Sequence, residues 1–401
     1  MKENIAVIFG GKSAEHDISI ITGLQTISNV DRDKYNIIPI YIDKSNNFYA
    51  GENLCFLQNF MPFSESSAIR VSFIAGTNYL FSKTKTKKIY FDGEKEFKKN
   101  RNAKPKNLTS LKKLVKIDCA INCCHGKSGE DGSLAGLLAL CGIPSTSCGV
   151  LSAAICMDKI CMKDILKANE IDSAKYFSFN KTQYILDENK IIDEIETNIG
   201  YPVFIKPSTL GSSIGISKCY SREELEIGIE VALNYDERIL VEKSIENNIE
   251  INCAVIGNKT YAEASEIELP NKTKAFLTFD EKYIQRQEAA ENKKTDISVS
   301  KEIQQKVKDM AIKAFKVFDC KGVVRIDFLY SKSENKLYLN ELNTIPGSLA
   351  FYLFKNEFDF KQLTNKLIVD AIKEKQNEDS LSSNFKSNAL NNFNNSLKQH
   401  K

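Results

Sequence analysis

The sequence predicts an α/β protein of two or three domains, the first of them built on an open parallel sheet. Three observations support this prediction. The chain has 401 residues, more than one domain usually contains. Strand-like and helix-like stretches alternate over roughly the first 150 residues, which is typical of open α/β sheets. Later in the chain, two apolar runs at 323–330 and 336–343 flank a short polar turn and predict an antiparallel hairpin.

The composition excludes several classes of protein. Hydrophobic residues make up 42% of the chain and charged residues 27%, as in ordinary packed domains. The net charge of +3 provides no basic field, so we expect no nucleic-acid partner. The longest apolar run, "LAGLLALCGI", has about half the length that a bilayer requires, and the first run is too short for a signal peptide. We therefore expect a cytoplasmic protein without a membrane partner, whose eleven cysteines are reduced and mostly buried.

The predicted first domain spans residues 1–148. It contains the strand "IAVIFGG", a helix that follows it, the strand "NIIPIYID", the very apolar strand "IDCAINCC" and the helix "SLAGLLALCG". An insertion at about 52–112 interrupts this order and is dense in lysine over 83–107. One interpretation is a basic arm that touches nucleic acid. The other is a solvated insertion whose lysines keep edge strands from pairing, and the interspersed acids favour it.

Two further domains and a tail are predicted after residue 148. The predicted central domain spans residues 149–241. It contains the helical "LSAAICMDKICMKDILKANE", the strand "YPVFIKP", a Gly/Ser loop, the strand "IGISKCY" and a helix from Ser221. The runs "RILVEKS" and "IEINCAVIG" are predicted as antiparallel strands of a third domain, 242–375, which the hairpin completes. The composition then turns to Asn, Ser and Lys, which predicts a disordered tail over 376–401.

The predicted hairpin carries polar side chains at regular spacing. Arg325 and Asp327 stand two apart on one strand, and Glu341 and Asn343 stand two apart on the other. Because side chains alternate across a strand, each pair shares a face. Carboxylate and amide oxygens suit Mg²⁺, and an adjacent arginine suits an oxyanion. The alternative is a polar face with an ordinary cross-strand Arg–Asp pair.

Glycine-rich turns provide three more candidate sites. In "FIKPSTLGSSIG", Lys206 ends a strand and small residues follow, which suits phosphate binding or a simple polar turn. The segment "GGKS" fails as a P-loop, because that motif would require glycine at Ala6. Glu15 follows it at a helix start, where it binds a small ligand or caps the helix. In "HGKSGEDG", His125 lies at the carboxyl end of a buried strand, where open sheets bind ligands, or else bonds a loop carbonyl.

Together these motifs resemble the D-alanine–D-alanine ligases of the ATP-grasp superfamily. The match runs in order through about residues 4–375, over "GGKSAEHDIS", "HGKSGEDG", "GIPSTSCGVLSAAICMDK", "FIKPSTLGSSIGIS", "VEKSIENNIE", "FDEKY", "RIDF" and "NELNTIPG". The resemblance implies a three-domain fold that holds ATP between the central and C-terminal domains. It also implies contacts to the nucleotide, namely Lys159, Lys206, Ser213 and Lys282 for the phosphates, Glu242 and Lys243 for adenine, and Glu250 for ribose. Asp327, Glu341 and Asn343 are implied as ligands of two Mg²⁺ ions, or of Mn²⁺ in their place.

The resemblance implies substrate contacts as well. Arg325 matches the arginine that stabilises the reacting oxyanion, and His125 is expected near the substrate carboxylates. Glu15, Ser212 and Tyr283 match a hydrogen-bonded trio, in which Glu15 anchors the first ammonium. Tyr283 and Lys282 are expected on a loop that closes over the site. One departure concerns Tyr352, which stands where the family has a serine for the second carboxylate, so that Ser348 or a backbone amide would take this role.

The function implied is the ATP-dependent joining of two D-alanines through an acyl phosphate, for peptidoglycan precursor synthesis by a homodimer. Two alternatives remain open. One is a ligase that joins D-alanine to D-serine or another amino acid, which the departure at Tyr352 favours. The other is a nucleotide-binding regulator that kept the fold and lost turnover, which the intact Arg325, Asp327, Glu341 and Asn343 oppose.

Overall fold

The computed structural model describes residues 2–83, 111–270 and 299–381, and it arranges them around three sheets. One sheet has seven strands, and the other two have four each. They follow one another along the chain, as the three predicted domains do.

The first sheet is mixed. Its strands are β1 (Glu3–Gly10), β2 (Tyr35–Ile42), β3 (Phe48–Ala50), β4 (Ile69–Phe73), β5 (Tyr79–Ser82), β6 (Lys112–Lys116) and β7 (Cys119–Asn122), in the order β6-β5-β4-β3-β2-β1-β7. Only β2, β1 and β7 are parallel, and β3 to β6 continue the sheet as antiparallel neighbours. The open parallel sheet is therefore limited to three strands. Much of the predicted insertion extends the sheet, with short 3₁₀ turns at Glu52–Cys55, Leu57–Asn59 and Glu65–Ser67.

The edge strand of this sheet carries exposed lysines of its own, which lie outside the lysine-dense segment 83–107. Strand β6, "KKLVK", lies at the edge and exposes Lys113 and Lys116. Charged side chains on an edge strand hinder pairing with another chain. Most of the lysine-dense segment, 84–107, lies outside the described residues.

Two helices flank the parallel strands. Helix α1 (His16–Asn29) lies so close to β1 that a Cβ at Gly23 would stand 2.4 Å from the ring of Phe9. Helix α2 (Ser133–Leu140) begins where Asp131 accepts a hydrogen bond from the Ser133 amide at 2.9 Å. It ends before Gly142, whose φ of 65° suits the predicted glycine stop.

The second sheet is antiparallel, with β8 (Tyr176–Asn180), β9 (Val203–Pro207), β10 (Ser217–Cys219) and β11 (Arg238–Lys243) in the order β10-β9-β11-β8. Helices α5 (Lys181–Leu186), α6 (Glu188–Asn198) and α7 (Arg222–Leu233) share its core. Helix α7 begins where a helix from Ser221 is predicted, and Ser221 caps it. The prediction that "RILVEKS" belongs to the third region is wrong, because β11 pairs with β8 and β9. The boundary predicted between 241 and 242 falls inside this strand.

The third sheet contains the predicted hairpin. Its strands are β12 (Asn248–Gly257), β13 (Ala262–Glu268), β14 (Gly322–Ser331) and β15 (Lys336–Asn343), all antiparallel in the order β13-β12-β14-β15. Helix α8 (Lys301–Val317) packs on one face. The helices α3 (Val150–Met157) and α4 (Lys159–Ala168), predicted in the central domain, place Cys156, Met162 and Leu166 in the core of this third sheet.

The C-terminal helix α9 (Phe360–Ser380) packs its apolar side chains against the first sheet and α1. It runs five residues past the boundary predicted at 375, so residues 376–380 are helical rather than part of the predicted disordered tail. A capping box at Asp359 starts the helix, and an ion pair between Lys375 and Asp379 supports its last turn.

All eleven cysteines are free, and nine are buried. Within 2–83, 111–270 and 299–381, no helix is both long and apolar enough to cross a membrane.

Candidate active site

The hairpin gathers its four polar residues on one face, as predicted. Arg325 is paired in register with Asn343, and Asp327 is paired with Glu341. The opposite face buries Val324, Ile326 and Phe328, with the leucines of β15, in the core. A bulge after Asp327 leaves Asn340 as an extra residue on β15. The period-two spacing of the sequence therefore places these polar groups on the side away from α8.

Within this face, Arg325 and Asp327 form a two-pronged ion pair. Nε of Arg325 donates to Oδ1 at 2.7 Å and Nη2 donates to Oδ2 at 2.8 Å, while the Asn343 amide donates to Oδ2 at 3.1 Å. Burial lowers the pKa of Arg325, but Asp327 outweighs this and raises it well above the usual range. The guanidinium is thus permanently charged and fixed in direction. The alternative interpretation placed an Arg–Asp pair across the two strands, whereas Arg325 and Asp327 pair within one strand.

The donor set of this face fits a hard cation. Asp327 and Glu341 supply carboxylate oxygens and Asn343 supplies an amide oxygen, and Mg²⁺ usually takes one or two carboxylates together with substrate phosphates. Among the described residues, no group of three or more His, Cys, Asp and Glu side chains is arranged to hold a metal by itself. A metal at this face would therefore depend on oxygens from its substrate.

The Gly/Ser loop between β9 and β10 lies beside the start of α4. The amide of Lys159 donates to the Ser208 carbonyl at 2.9 Å, and its ammonium donates to the Leu210 carbonyl at 2.5 Å. Ser212 and Ser213 have left-handed backbones, with φ of 52° and 61°, and the Ile214 amide donates to the Gly211 carbonyl at 3.2 Å, so the loop contains the polar turn that one interpretation predicted. Burial lowers the pKa of Lys159, while Glu341 and Glu15 act in the opposite direction. The ammonium therefore lies between the loop and the carboxylates of the site.

Lys206 and Glu242 meet on the inner face of the second sheet. Lys206 lies opposite Leu240 in the register and its ammonium is 2.9 Å from Oε1 of Glu242. It is also 3.4 Å from the amide oxygen of Asn340, which joins the second sheet to the bulge of the third. Lys163, which sequence reasoning missed, is 2.8 Å from Oε2 of Glu242. Its only sequence signal is its place one helical turn after Lys159.

Lys243 and Glu250, the other predicted nucleotide contacts, lie apart from this pair. Because side chains alternate, Lys243 points to the face opposite Glu242, and its ammonium donates to the carbonyls of Gly200 at 3.1 Å and Tyr201 at 2.6 Å. Glu250 lies opposite Leu329, on the same face of the third sheet as Asp327. The structure therefore brings Glu250, but not the Lys243 ammonium, to the polar side.

Glu15 and Ser212 join the first domain to the Gly/Ser loop. The Ser212 hydroxyl donates to the Glu15 carboxylate, which is 8% exposed and does not cap α1. A Cβ at Gly126, where φ is 70°, would stand 2.8 Å from Oε2 of Glu15, so only glycine leaves room for this carboxylate. Two members of the predicted trio therefore meet. Its third member, Tyr283, and Lys282 lie outside the described residues.

His125 is buried and contacts a side chain, and it also forms a hydrogen bond with the backbone of Ile345, the kind of loop contact that one interpretation of this residue predicted. Its Nε2 is hydrogen-bonded to the Thr22 hydroxyl at 2.9 Å, and this hydroxyl accepts the Ser348 amide at 3.2 Å. The Ser348 hydroxyl donates to Gln25 at 2.6 Å. Burial lowers the pKa of His125, which favours the neutral ring. Ser348 begins a left-handed turn, with φ of 53° there and 51° and 49° at the next two residues.

Glu130 links two loops of the site and was not singled out from the sequence. Its carboxylate accepts the Gly126 amide at 2.8 Å and the Ile345 amide at 3.1 Å. Burial, and then the charge of Glu15, raises the pKa of Glu130 to about 8. The loop "HGKSGEDG" of the first domain is thereby held against "NTIPG" of the third. Thr22, Gln25 and Asn340 were also missed, since nothing in their local pattern separates them from ordinary polar residues.

The second and third sheets are both antiparallel, and they bring a lysine-bearing Gly/Ser loop close to a hairpin that carries carboxylates and an arginine. This arrangement defines the class of the protein as an ATP-grasp ligase. Two family models match the chain, one described as the D-ala D-ala ligase N-terminus over residues 4–148 and the other as the D-ala D-ala ligase C-terminus over 165–373. The chain therefore belongs to the D-alanine–D-alanine ligase family.

Individual relatives agree over nearly the whole length. The chain is 39% identical to the D-alanine–D-alanine ligase of Thermosipho melanesiensis over 369 residues, which covers 91% of this chain and 92% of the relative. It is 36% identical to that of Caldicellulosiruptor bescii over 392 residues, with 95% and 98% covered. Among solved structures, the D-alanine–D-alanine ligase from Coxiella burnetii has a TM-score of 0.75 at 26% identity, with 94% and 97% covered. The VanG D-Ala:D-Ser ligase from Enterococcus faecalis has a TM-score of 0.74 at 27% identity, with 92% and 99% covered.

Proposed function

We propose that this protein joins two D-alanines into D-alanyl-D-alanine at the expense of ATP, and so supplies precursors of peptidoglycan. Among the structural observations, the polar face of the hairpin carries the proposal. It combines a fixed guanidinium with carboxylate oxygens beside a lysine-bearing loop. Family membership and the names of relatives such as that of Thermosipho melanesiensis support the same substrates.

The reaction has two steps. A carboxylate oxygen of the first D-alanine attacks the γ-phosphorus of ATP, the bond to the bridging oxygen breaks, and ADP leaves with that electron pair. The amine of the second D-alanine then attacks the acyl carbon of the acyl phosphate. Inorganic phosphate leaves, and the attacking nitrogen loses a proton. Positioning and charge neutralisation provide most of the catalysis in such phosphoryl transfers.

The nucleotide is proposed to lie between the second and third sheets. Lys159, Lys206 and Ser213 bind its phosphates, because two ammonium groups and a left-handed loop suit an anion. Glu242 and Lys243 border the adenine, with Lys243 acting through its backbone since its side chain points away. Glu250 binds the ribose hydroxyls. Lys282 is expected to reach the γ-phosphate.

The hairpin is proposed to serve the transferred phosphoryl group. Asp327, Glu341 and Asn343 would hold two Mg²⁺ ions, with Mn²⁺ as an acceptable substitute. When bound, such ions neutralise the charge of the phosphate oxygens. Arg325 stabilises the oxyanion that forms at the acyl carbon, since its guanidinium is already oriented by Asp327.

The amino acids are proposed to lie between the first domain and the hairpin. Glu15 accepts the ammonium of the first D-alanine, and Ser212 orients this carboxylate. His125 lies near the substrate carboxylates, and Ser348 or a neighbouring amide binds the second one. The resemblance implies that Tyr283, which lies outside the described residues, completes the trio, and water would then be excluded from the acyl phosphate. We further propose a cytoplasmic homodimer.

A ligase for D-alanine and D-serine is the second candidate. Tyr352 stands nine residues after Asn343, where the family has a serine, and the VanG D-Ala:D-Ser ligase from Enterococcus faecalis has a similar structure. Within the part of the chain that is described, Ser348 is the hydroxyl of the turn after "NTIPG" that reaches α1. The second amino acid therefore needs a direct test.

Phosphate release and product mass test both candidates. The protein is incubated with ATP and D-alanine alone, then with D-alanine plus D-serine, D-lactate or other amino acids. Phosphate release with D-alanine alone and a dialanine mass are expected. Release only with a mixed pair would favour the second candidate. No release with any pair, although ATP binds, would support a nucleotide-binding regulator instead.

A further inference from the structure

Lys163 is an almost fully buried lysine in the middle of α4. Its side chain is 1% exposed, and its ammonium lies 2.8 Å from Oε2 of Glu242, whose side chain is 3% exposed. The ammonium also lies 5.8 Å from the centre of the Tyr176 ring. A buried ammonium is costly unless a carboxylate neutralises it, so a lysine at this position has a specific partner.

Glu242 is shared by two lysines. Its second oxygen, Oε1, lies 2.9 Å from the ammonium of Lys206. Burial would raise the pKa of Glu242, but the two lysines together lower it to about 2, so the carboxylate is ionised. Burial lowers the pKa of Lys163, and the charge of Glu242 acts in the opposite direction, so the lysine depends on this carboxylate for its charge.

The two lysines differ in their freedom to move. Lys206 is 13% exposed, lies at the end of β9, and also contacts Asn340 at 3.4 Å across to the third sheet. Lys163 is enclosed, and its neighbour Met162 is fixed in the core between α4 and the third sheet. Lys206 borders the polar side where the nucleotide is proposed to lie, whereas Lys163 does not.

We propose that Lys163 is a positioning residue that keeps the Glu242 carboxylate neutralised and oriented when Lys206 leaves it for a phosphate of ATP. This inference rests on the proposed function, which assigns Lys206 to the phosphates and Glu242 to the adenine. Without Lys163, the departure of Lys206 would leave a bare carboxylate in the interior. Lys206 would then remain on Glu242, and ATP would bind less tightly while the hairpin chemistry stayed intact.

The experiment is a double-mutant cycle on ATP binding. Lys163→Met keeps the length of the apolar stem and removes the charge, and it is combined with Glu242→Gln. The Kd of ATP is measured by calorimetry, and kcat and the KM values for ATP and D-alanine are measured for the full chain. Lys167→Met, on an exposed position one turn further along α4, is the matched control.

Lys163→Met is expected to raise the Kd and KM for ATP by roughly 10- to 100-fold, because a charged partner of a buried carboxylate is lost. The values of kcat and of KM for D-alanine should stay within about threefold, as should all values for Lys167→Met. In the Glu242→Gln background, Lys163→Met should change the Kd of ATP by less than about threefold, since no carboxylate remains to be neutralised.

Two results would overturn the proposal. One is wild-type ATP affinity in Lys163→Met, and the other is an equal loss of affinity in both backgrounds, which a purely structural role would give. If Lys163→Met does not fold, the double variant carries the test, because it removes both charges and should bind ATP as Glu242→Gln does. A wild-type protein that binds ATP but forms no dipeptide would contradict the proposed function and leave this measurement valid.

Discussion

The second and third sheets are alike in form and different in how they satisfy their polar groups. Each has four antiparallel strands with helices on one face and polar side chains on the other. In the third sheet, Arg325, Asp327 and Asn343 bind one another within a single hairpin. In the second, Glu242 depends on Lys163 from α4, a helix packed on the third sheet. One polar cluster is local in sequence, and the other exists only after the chain has folded.

This contrast implies a division of work between the sheets. The rigid hairpin cluster is suited to the reacting groups, which require fixed charges. In the second sheet, the Glu242 carboxylate is shared by two lysines, which suits the binding of a ligand that takes Lys206 as a new partner. Substitutions in the two sheets should therefore have separate effects, on phosphoryl transfer in the third sheet and on nucleotide binding in the second.

The largest effect is expected for Glu341→Gln. The substitution keeps the shape of the side chain and removes a proposed metal ligand at a half-buried position, so ADP formation should fall below detection while the protein stays folded. Coupled assay of ADP at saturating Mg²⁺ measures this. Glu334→Gln, on the exposed turn of the same hairpin, is the control and should behave as wild type. Turnover retained by Glu341→Gln would contradict the metal assignment.

Arg325→Lys should lower kcat by about 10²-fold. Lysine keeps the charge but cannot hold Asp327 through two parallel hydrogen bonds, so the cation loses its fixed direction. Steady-state kinetics with D-alanine and ATP measure this, with thermal unfolding as a check on the fold. A kcat within threefold of wild type would mean that the guanidinium does not act on the reacting oxyanion.

Gly126→Ala should raise the KM for D-alanine and destabilise the fold by about 1–2 kcal/mol, the cost of a left-handed backbone at a residue with a side chain. The new Cβ would stand 2.8 Å from Oε2 of Glu15 and displace this carboxylate. Gly76→Ala is the matched control, because Gly76 has φ of 79° and the Cβ of an alanine there would meet open space. The control should lose similar stability with an unchanged KM. Equal KM values for D-alanine in the two variants would show that Glu15 does not bind the substrate.

The smallest effect is expected for Lys375→Ala. This half-buried lysine pairs with the exposed Asp379 at the end of α9, and pairs one helical turn apart contribute about 0.3–0.5 kcal/mol. Urea unfolding should show a loss of this size with no change in turnover. A loss of several kcal/mol would show that the last turn of α9 is essential to the fold rather than an extension of it.

The same contrast explains what the sequence could predict. The polar face of the hairpin follows from period-two spacing, and the helix of Ser221 follows from its capping residue. Strand β11 was assigned to the wrong sheet, because pairing depends on contacts between distant segments. Residues 376–380 form the end of a helix where a disordered tail is predicted, since a polar composition also suits an exposed helix end. Lys163 and Glu130 acquire their roles only from loops and helices brought to them by the fold.

The division of work is tested most directly by measuring ATP affinity for Arg325→Lys and Lys206→Met side by side by calorimetry. Arg325→Lys should bind ATP within about threefold of wild type although its kcat falls, because the hairpin arginine acts on the transferred group. Lys206→Met should lose at least about tenfold in affinity, because it removes a charge-assisted contact to phosphate. Equal losses of ATP affinity in the two variants would contradict the separation of nucleotide binding from transfer.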